Sequence, residues 1–410
     1  MINKTPPKGM RDFLPSELAL RNQTMAKIKE AYISCGFNEI ETPCVDDIKL
    51  LMSKQSGENE KLMYKILKRG EKLEKASDGE LCDLGLRYEL TLSLARYCAN
   101  NAGVIPPVFK AIQVGPVFRA DRPQKGRYRQ FIQCDIDIIG EESVLAEIDL
   151  IIATAKALKN VGLSGFTIKI NDRRILKRLA AVCGFNESDY EKVFISLDKL
   201  DKIGIDGVKD ELLKEFPVEK VEKLLAIADK ITAAKNPLDE CVKLLGGIEN
   251  ETNELKQIIN AVSKCSEAKL VYDITLVRGL SYYTGAIFEI NADGIPYALG
   301  GGGRYNELLG KITGTNVPAC GFSIGFERIV DLLAEQKTVA ARKKCAALIV
   351  PKEYADQAEG IFTAAEKIRE SGQNCGVYKK MKNFAYQLKV LTDIGCDEFY
   401  LYENGDTKKI

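Results

Sequence analysis

The spacing of apolar residues predicts a first helix close to the N-terminus. One face of this helix carries four apolar side chains: Leu18, Met25, Ile28 and Tyr32. Ser16 can cap its N-terminus, and Gly36 is the kind of residue at which a helix ends. A short extended segment is predicted at 37–42, and a second helical pattern covers 87–100.

Two strand patterns follow, at 108–119 and 130–139. The loop between them carries four basic side chains: Arg122, Lys125, Arg127 and Arg129. Residues 174–264 are rich in Lys, Glu and Leu with helical spacing, which predicts a helical insertion. Strands are predicted again at 268–277 and 285–291, and the Asp293-Gly294 pair predicts a hairpin.

The last part of the chain predicts a short helix after the glycine run Gly300–Gly303, a longer helix at 324–334, and then an alternation of strands and helices up to 402. Strands grouped around long helices, without regular βαβ alternation, favour the α+β class. We therefore expect an antiparallel sheet flanked by helices, with a helical insertion and a small C-terminal α/β domain.

Composition narrows the chemistry. The 410 residues include no His, which excludes a Ser-His-Asp or Cys-His triad and a zinc site that needs a His ligand. With 59 Lys and Arg against 58 Asp and Glu, the net charge is +1, so a nucleic acid would have to bind a local basic patch.

The cysteines and the hydropathy predict a cytoplasmic protein. Twelve cysteines are scattered along the chain with no CxxC pair, so we expect reduced thiols and no metal site. The N-terminus lacks an apolar secretory region, and no stretch approaches 18 apolar residues, so no membrane association is expected.

The glycine run Gly300–Gly303 matches neither common phosphate-binding motif. The third glycine of GxGxxG is missing, and Gly310-Lys311 is followed by Ile312 rather than Ser or Thr. The run therefore indicates a strand that passes close to something bulky, either a substrate or a neighbouring backbone.

The strand at 130–139 alternates between apolar and polar residues. Gln133, Asp135 and Asp137 share its polar face. Gln133 and Asp137 are roughly 13 Å apart at about 3.3 Å per residue, which suits a small ligand that presents N–H donors to the carboxylate. A polar face that is simply solvated is the alternative interpretation.

Several longer motifs resemble the class II aminoacyl-tRNA synthetases, in the form found in histidyl-tRNA synthetases. FRADRPQKGRYRQF (118–131) resembles motif 2, LVRGLSYY (276–283) the histidine-specific signature, and GGGRY (301–305) with GFSIGFER (321–328) motif 3. PKGMRD (7–12) is similar to the opening of the family, and 36–43 stands where motif 1 belongs. The resemblance covers essentially the whole chain, in order.

This resemblance implies a reaction that arginines can serve. The carboxylate of an amino acid attacks the α-phosphate of ATP, which requires positioning and charge stabilisation but no imidazole base. By the same resemblance Arg119, Arg278 and Arg328 are the catalytic and ATP-binding arginines, and Phe131 stacks on adenine. ATP with Mg²⁺ is the implied substrate, and no metal held by the protein itself is expected.

The resemblance also implies the other binding residues and the partners. The implied histidine-binding residues are Glu89, Leu90, Thr91, Gln133, Asp137, Tyr282 and Tyr283. For the two tyrosines, core packing of one of them is the alternative. The implied contacts with the acceptor end of tRNA-His are Arg122, Gln124, Lys125 and Arg127. Motif 1 implies a homodimer.

The resemblance divides the chain into 1–173 and 266–336 as the catalytic core, 174–265 as the insertion, and 343–410 as an anticodon-binding-like domain that we expect to be shortened. A regulatory subunit of ATP phosphoribosyltransferase, which shares the synthetase core fold, is the main alternative. A synthetase-like module of a stress-sensing kinase is a third, and the chain has no kinase segment. The complete signature at 276–283 favours the enzyme.

Overall fold

The computed structural model describes residues 3–52, 61–77, 80–124, 126–278, 282–336 and 344–410. These residues form two compact units. The larger unit comprises Pro7–Met10 and Lys27–Ile329. The smaller unit comprises Arg11–Ala26 and Val330–Ile410, with the N-terminal segment through Pro6.

The first helix, α1 (Pro15–Ser34), agrees with the predicted one. Ile28 and Tyr32 are fully buried, but Leu18 is 44% exposed and does not belong to the buried face. The chain leaves the helix through Gly36 at φ +83°, a conformation that favours glycine.

An eight-stranded sheet forms the centre of the larger unit within the described residues. Its strands, in chain order, are β1 (Asn38–Ile40), β5 (Phe109–Phe118), β6 (Gln130–Ile139), β7 (Phe166–Asp172), β8 (Lys269–Tyr272), β9 (Ala286–Ala292), β10 (Gly300–Arg304) and β11 (Ala319–Gly325). The spatial order is β1-β5-β6-β11-β10-β9-β7-β8.

The pairing within this sheet is antiparallel from β5 to β7 and parallel at both edges, where β1 pairs with β5 and β8 with β7. The expected antiparallel sheet is thus confirmed for the centre, and the sheet as a whole is mixed. Helix α5 (Leu145–Asn160) packs on β6 and β11 through fully buried residues such as Leu150 and Ile151. The α+β class is confirmed.

A smaller sheet lies before β5 in the sequence. Its strands β2 (Val45–Asp47), β3 (Lys65–Leu67) and β4 (Cys82–Leu86) are arranged in the order β2-β4-β3. The short helices α2 (Ile48–Met52) and α3 (Glu71–Glu74) accompany them. Strands β3 and β4 pair antiparallel, and a charged segment joins them.

The segment between β7 and β8 is helical. It contains α6 (Arg173–Val182), α7 (Tyr190–Leu197), α8 (Leu200–Leu212), α9 (Val218–Ala233), α10 (Pro237–Leu245) and α11 (Glu249–Cys265). Asp172 caps α6 by accepting a bond of 2.8 Å from the Arg174 backbone N–H. Phe185 and Phe216 meet edge to face at 5.1 Å between ring centroids.

Three predicted boundaries are wrong. The helix expected at 87–100 begins only with α4 (Thr91–Asn100), because Arg87 bonds to carbonyl oxygens of Thr42 and Pro116 instead of entering a helix. The helix expected at 324–334 is α13 (Phe326–Glu335), which follows the short helix α12 (Gly310–Thr313), and Ile324 still belongs to β11. Strand β8 ends at Tyr272, well before Val277.

The smaller unit contains the C-terminal α/β domain. Its elements are β12 (Cys345–Val350), α14 (Ala358–Glu370), β13 (Asn374–Lys379), α15 (Phe384–Asp393), β14 (Glu398–Glu403) and β15 (Asp406–Lys409). Strands β13, β12 and β14 are parallel. Leu348 packs toward α14 and Ile349 toward α15, because alternate residues of β12 point to opposite faces.

Strand β15 was not predicted. It pairs antiparallel with β14, and the two-residue loop Asn404-Gly405 joins them with both residues at positive φ. Among the described residues no helix has the length and apolar character needed to cross a bilayer.

Candidate active site

One cavity of about 770 Å³ in the larger unit contains most of the predicted site residues. Strands β6, β9, β10 and β11 contribute to its walls, together with the segments after β5, β4 and β8. The predicted residues that line it are Glu89, Thr91, Arg119, Arg127, Phe131, Gln133, Asp137, Arg278, Tyr282, Tyr283 and Arg328. Positions far apart in the sequence are thus brought together.

Arg119 lies just beyond the end of β5. Its Nε donates to the Tyr88 carbonyl oxygen at 3.1 Å. The guanidinium lies 4.2 Å from the centroid of the Tyr88 ring and 5.2 Å from that of Phe131. These rings hold the cation at the cavity wall by cation–π contact.

Arg278 forms an ion pair of 2.6 Å with Glu289 of β9. It lies over Gly301, where a Cβ atom would come within 2.6 Å of the arginine Cζ. Gly302 in turn lies against the Gly321 carbonyl oxygen, which a Cβ would approach to 1.9 Å. The glycine run therefore makes room both for a functional side chain and for a neighbouring backbone.

Arg328 is the third residue of α13, so it lies in the first turn of this helix. Its guanidinium donates to the Ala298 carbonyl oxygen and lies 5.0 Å from the Tyr297 ring centroid. Burial lowers its pKa, and the nearby Tyr297 opposes this effect. Three arginine side chains with well-defined partners thus line one cavity, which is a suitable environment for a polyanion.

The polar face of β6 is not solvated, so that alternative is wrong. Asp135 and Asp137 are each 4% exposed, and Cys134, Ile136 and Ile138 on the other face are also buried. The strand is therefore covered on both faces, and its polar residues line the cavity.

Asp137 accepts a bond of 2.5 Å from the Tyr305 hydroxyl. Gly321 of the neighbouring strand allows this pair, since a Cβ there would lie 2.0 Å from Asp137 Oδ1. Burial raises the pKa of Asp137 to about 7, although the bond from Tyr305 opposes the rise. A buried carboxylate of this kind suits a ligand that donates N–H groups.

The two signature tyrosines both line the cavity. The Tyr282 hydroxyl donates to Glu89 Oε2 at 3.0 Å, and the two rings lie 5.0 Å apart. Tyr282 also approaches Tyr305 edge to face at 5.9 Å. The signature residues Gly279, Leu280 and Ser281 lie outside the described residues.

Leu90 has a different environment from its neighbours Glu89 and Thr91. Its side chain is buried and is not among the described residues that line the cavity. Its carbonyl oxygen accepts from Gln113 Nε2 at 3.2 Å and from the Leu94 backbone N–H. Leu90 thus anchors the start of α4 against β5.

Some basic side chains of the loop after β5 bond to other residues of the protein. Arg127 lines the cavity and pairs with Asp121 at 2.9 Å, whereas Arg122 and Gln124 are exposed. Arg129 bonds to the carbonyl oxygens of Asp121 and Lys8, so it holds the N-terminal segment rather than facing solvent. Lys125 lies outside the described residues.

The cavity lining also includes residues that were not predicted as site residues, among them Asp135, Glu289, Tyr305 and Ser323. Asp135 shares the polar face of β6, and Tyr305 closes the GGGRY motif, so both had a visible signal. Ser323 stands within the segment that resembles motif 3, whereas Glu289 had no signal, because only the strand register sets it opposite Gly301.

Comparison with known proteins identifies the family. A family model described as "Histidyl-tRNA synthetase" matches residues 9–329. A histidine–tRNA ligase of Leifsonia xyli subsp. xyli (strain CTCB07) is 46% identical over 349 residues, which is 80% of each chain. A histidine–tRNA ligase of Porphyromonas gingivalis (strain ATCC BAA-308 / W83) is 36% identical over 406 residues, covering 93% of this chain and 88% of that protein.

Two solved structures share the fold. The histidyl-tRNA synthetase of Nostoc sp. PCC 7120 aligns with a TM-score of 0.78 at 24% identity and covers 100% of this chain and 97% of that one. A protein of Bacillus halodurans C, described as an ATP phosphoribosyltransferase regulatory subunit/histidyl-tRNA synthetase, aligns with a TM-score of 0.77 at 21% identity, covering 95% and 97%.

Proposed function

The chain belongs to the histidyl-tRNA synthetase family, and from this premise we propose that it activates L-histidine with ATP and transfers it to the 3′ end of tRNA-His. The family membership confirms the resemblance seen in the motifs, and with it the assignment as an aminoacyl-tRNA ligase. In the proposed reaction the histidine carboxylate attacks the α-phosphate of ATP, pyrophosphate leaves, and histidyl-adenylate forms. ATP enters as its Mg²⁺ complex.

The observation that carries this proposal is the charge arrangement in one cavity. Arginines line it together with buried carboxylates, so it can receive a polyanion and an amine at once. Arg119 directly follows Phe118, which pairs with Gln130 at the start of β6. Asp137 lies seven residues beyond Gln130 on the same strand (130 to 137). The phosphate-binding and ring-binding groups are therefore separated along the strand.

For the chemical step we assign Arg119 and Arg278 to the α-phosphate and the attacking carboxylate. Their planar guanidinium groups can hold two oxygens each, and they are already oriented by Tyr88 and Glu289. Arg328 would contact ATP from the first turn of α13, and Phe131 would stack on adenine. The rate gain comes from positioning and charge stabilisation.

For histidine we assign Glu89, Thr91 and Gln133 to the α-amino group, and Asp137 with Tyr282 and Tyr283 to the ring. Tyr305 joins this set through its bond to Asp137. An amino acid without ring N–H groups would leave a buried acceptor unpaired, which is a strong basis for rejection.

For tRNA-His we assign the loop residues Arg122, Gln124, Lys125 and Arg127 to the acceptor end, and the α/β domain at 343–410 to the anticodon. We also propose that the catalytic core comprises residues 1–173 and 266–336 and that residues 174–265 are the insertion. The exposed positions of Arg122 and Gln124 support the assignment to the acceptor end. Phosphate contacts of this kind weaken as salt concentration rises. A cytoplasmic location is part of the same proposal.

The regulatory-subunit alternative requires no catalytic arginines. Arg119, Arg278 and Arg328 line one cavity, each with an orienting partner, and this observation favours the enzyme.

The deciding experiment is ATP–pyrophosphate exchange with each of the twenty amino acids. We expect stimulation by histidine alone, and stimulation by none or by several would overturn the proposal. Since the chain contains no His, the NMR signals of isotope-labelled histidine can be followed without histidine resonances from the protein. This gives a measure of binding that is independent of turnover.

Arg278→Ala should reduce histidine-dependent exchange at least about 100-fold, the usual cost of losing one group that stabilises developing charge. Arg278→Lys keeps a cation beside Glu289 but loses the planar fork, so it should recover only part of the rate. Arg178→Ala, which removes bonds to the Leu245 and Gly246 carbonyl oxygens outside the cavity, is the matched control. Exchange near the wild-type rate in Arg278→Ala would refute the assigned role.

A further inference from the structure

We propose that Asp135 is a positioning residue: acting with Ser323, it holds the Gln133 carboxamide so that its oxygen receives the α-ammonium group of the substrate. The inference rests on the function proposed above, in which Gln133 binds the α-amino group. It assigns a role to two residues that the motifs do not single out.

Asp135 lies in the middle of the sheet, between two neighbouring strands. Its register partners are Gln113 on β5 and Ser323 on β11. It is 4% exposed, and no ion pair involves it among the described residues. A buried carboxylate without a paired cation needs hydrogen-bond donors from its neighbours.

Gln113 makes its hydrogen bonds to residues other than Asp135. Its Nε2 donates to the Leu90 carbonyl oxygen at 3.2 Å, and its Oε1 accepts from the Thr42 hydroxyl at 2.8 Å. Ser323 is the register partner of Asp135 on β11, and its hydroxyl lowers the pKa of that carboxyl. Burial raises the pKa of Asp135, and the bond from Ser323 opposes that rise, so the hydroxyl favours the ionised, acceptor-only form.

Gln133 completes the network. Its Nε2 lies 3.2 Å from Ser323 Oγ and 3.4 Å from each carboxylate oxygen of Asp135. Ser323 Oγ accepts the bond from Nε2 through a lone pair. All acceptors on this side of Gln133 therefore face its NH₂ group.

The network fixes which way the carboxamide is turned. Rotating it by 180° would set Oε1 against the two carboxylate oxygens of Asp135, so that acceptors would face one another. In the observed orientation Oε1 is buried and has no hydrogen-bond partner among the described residues. An unpaired buried acceptor is costly, and a ligand that donates to it recovers this free energy.

The charge of the surroundings indicates the donor. Gln133 lines the cavity together with Glu89 and Thr91, which offer further acceptor oxygens. An ammonium group carries three donors and a positive charge, so it matches such a set. Asp135 would then act on binding of the amino acid and leave the phosphate chemistry at Arg119 and Arg278 unchanged.

The test is the steady-state kinetics of histidine-dependent ATP–pyrophosphate exchange in Asp135→Asn and Ser323→Ala. Asn at 135 can present a donor toward Gln133 and so permits the turned carboxamide. Each variant should raise KM for histidine about tenfold, the order expected for losing a bond to a charged group. The kcat value and KM for ATP should stay within about twofold of wild type.

The double variant Asp135→Asn with Ser323→Ala distinguishes two roles of Asp135. One is to position the Gln133 carboxamide, and the other is direct attraction between the Asp135 charge and the α-ammonium group. If the two residues act as one unit, the double variant should be no worse than Asp135→Asn alone. Ser323→Thr keeps the hydroxyl and should retain the wild-type KM. Histidine binding followed by NMR, with thermal unfolding of each variant, shows whether a loss is a folding defect.

Three results would overturn the proposal: a wild-type KM for histidine in Ser323→Ala, additive effects in the double variant, or a parallel loss of kcat. If the wild-type protein itself shows no histidine-dependent exchange, the proposed function has failed. If wild type is active and the variants keep its KM, only the role of Asp135 has failed.

Discussion

Asp137 is buried in the sheet, and in the proposed function its carboxylate accepts ring N–H donors. Burial raises its pKa to about 7, and the nearby Glu89 adds to the rise. Its bond from Tyr305 favours the charged form but does not offset the burial. The charged form of this buried carboxylate therefore lowers the stability of the fold, and in the proposed function the same group binds the ligand.

The stability of the protein should respond to this residue in a pH-dependent way. The pKa of Asp137 is near its ordinary value of 3.8 in the unfolded chain and about 7 in the folded chain. Between these values the folded state holds a proton that the unfolded state has lost, so this residue makes stability fall as pH rises from about 4 to about 7.

Asp137→Asn should remove this loss of stability at higher pH, because the uncharged amide oxygen can still accept a hydrogen bond from Tyr305. We expect the variant to melt a few degrees above wild type at pH 8 and to differ less at pH 5, while histidine-dependent exchange is lost. Thermal unfolding of both proteins from pH 5 to 8 measures the difference. A difference that does not change with pH would contradict the assignment.

Single residues were predictable where a motif or an alternation marked them. Arg278 stands in the LVRGLSYY signature and Asp137 on the polar face of β6, and both line the cavity. Glu289 was invisible, since its role as the partner of Arg278 depends on strand register. The role of Arg129 was not predictable either, because it bonds to the carbonyl oxygens of Asp121 and Lys8, and Lys8 is distant in sequence.

Strand β10 shows what an element of consecutive glycines accomplishes. Gly301 leaves room for Arg278, and Gly302 and Gly303 allow close approach of the Gly321 and Ala286 carbonyl oxygens. Side chains here would meet backbone atoms of the adjacent strands, which cannot move aside cheaply. The whole strand is thereby specified by its neighbours.

Gly302→Ala should disrupt this strand, because the new Cβ would lie 1.9 Å from the Gly321 carbonyl oxygen. A loss of roughly 2 kcal/mol or more in unfolding free energy is expected, in the range of overpacked cores. Gly103→Ala is the matched control, since a Cβ there meets nothing within 4 Å. Denaturant unfolding of the two variants compares them, and equal stabilities would refute the explanation.

Elements were predicted well in kind and less well in extent. Strands β5 and β6 match their predicted limits within one residue, since long alternating runs are unambiguous. The helix at 324–334 was extended into β11 because a buried strand and a buried helix give similar apolar runs. The hairpin at Asn404-Gly405 was missed even though Asn-Gly is a strong signal for a two-residue turn.

At the scale of the whole chain, composition excludes mechanisms that need an imidazole, and the fold brings other functional groups together in one cavity. The absence of His excluded imidazole catalysis, and the cavity contains arginines, carboxylates and tyrosines instead. The central sheet was predictable as a class, but the parallel pairing at its edges was not. Long connections set that pairing, and local patterns carry no information about it.

The smaller sheet β2-β4-β3 presents an apolar surface to solvent. Its exposed apolar side chains are Val45 at 37%, Leu67 at 54% and Leu84 at 39%, and Leu81, which directly precedes β4, is 40% exposed. Grouped exposure of this kind is typical of an interaction surface. The sheet follows directly after the segment that resembles motif 1, and this supports the proposed homodimer.

Leu84→Lys should weaken the proposed homodimer by more than the loss of one apolar contact would. In a two-fold interface the same patch contributes from both chains, so one substitution inserts two buried charges. We expect sedimentation velocity to show a dimer for wild type and a dissociation constant at least about tenfold larger for the variant. Val104→Lys is the control, because Val104 is 87% exposed and lies outside this sheet. If Leu84→Lys sediments as wild type does, the two-fold axis does not pass through this sheet, and the dimer proposal loses its structural support.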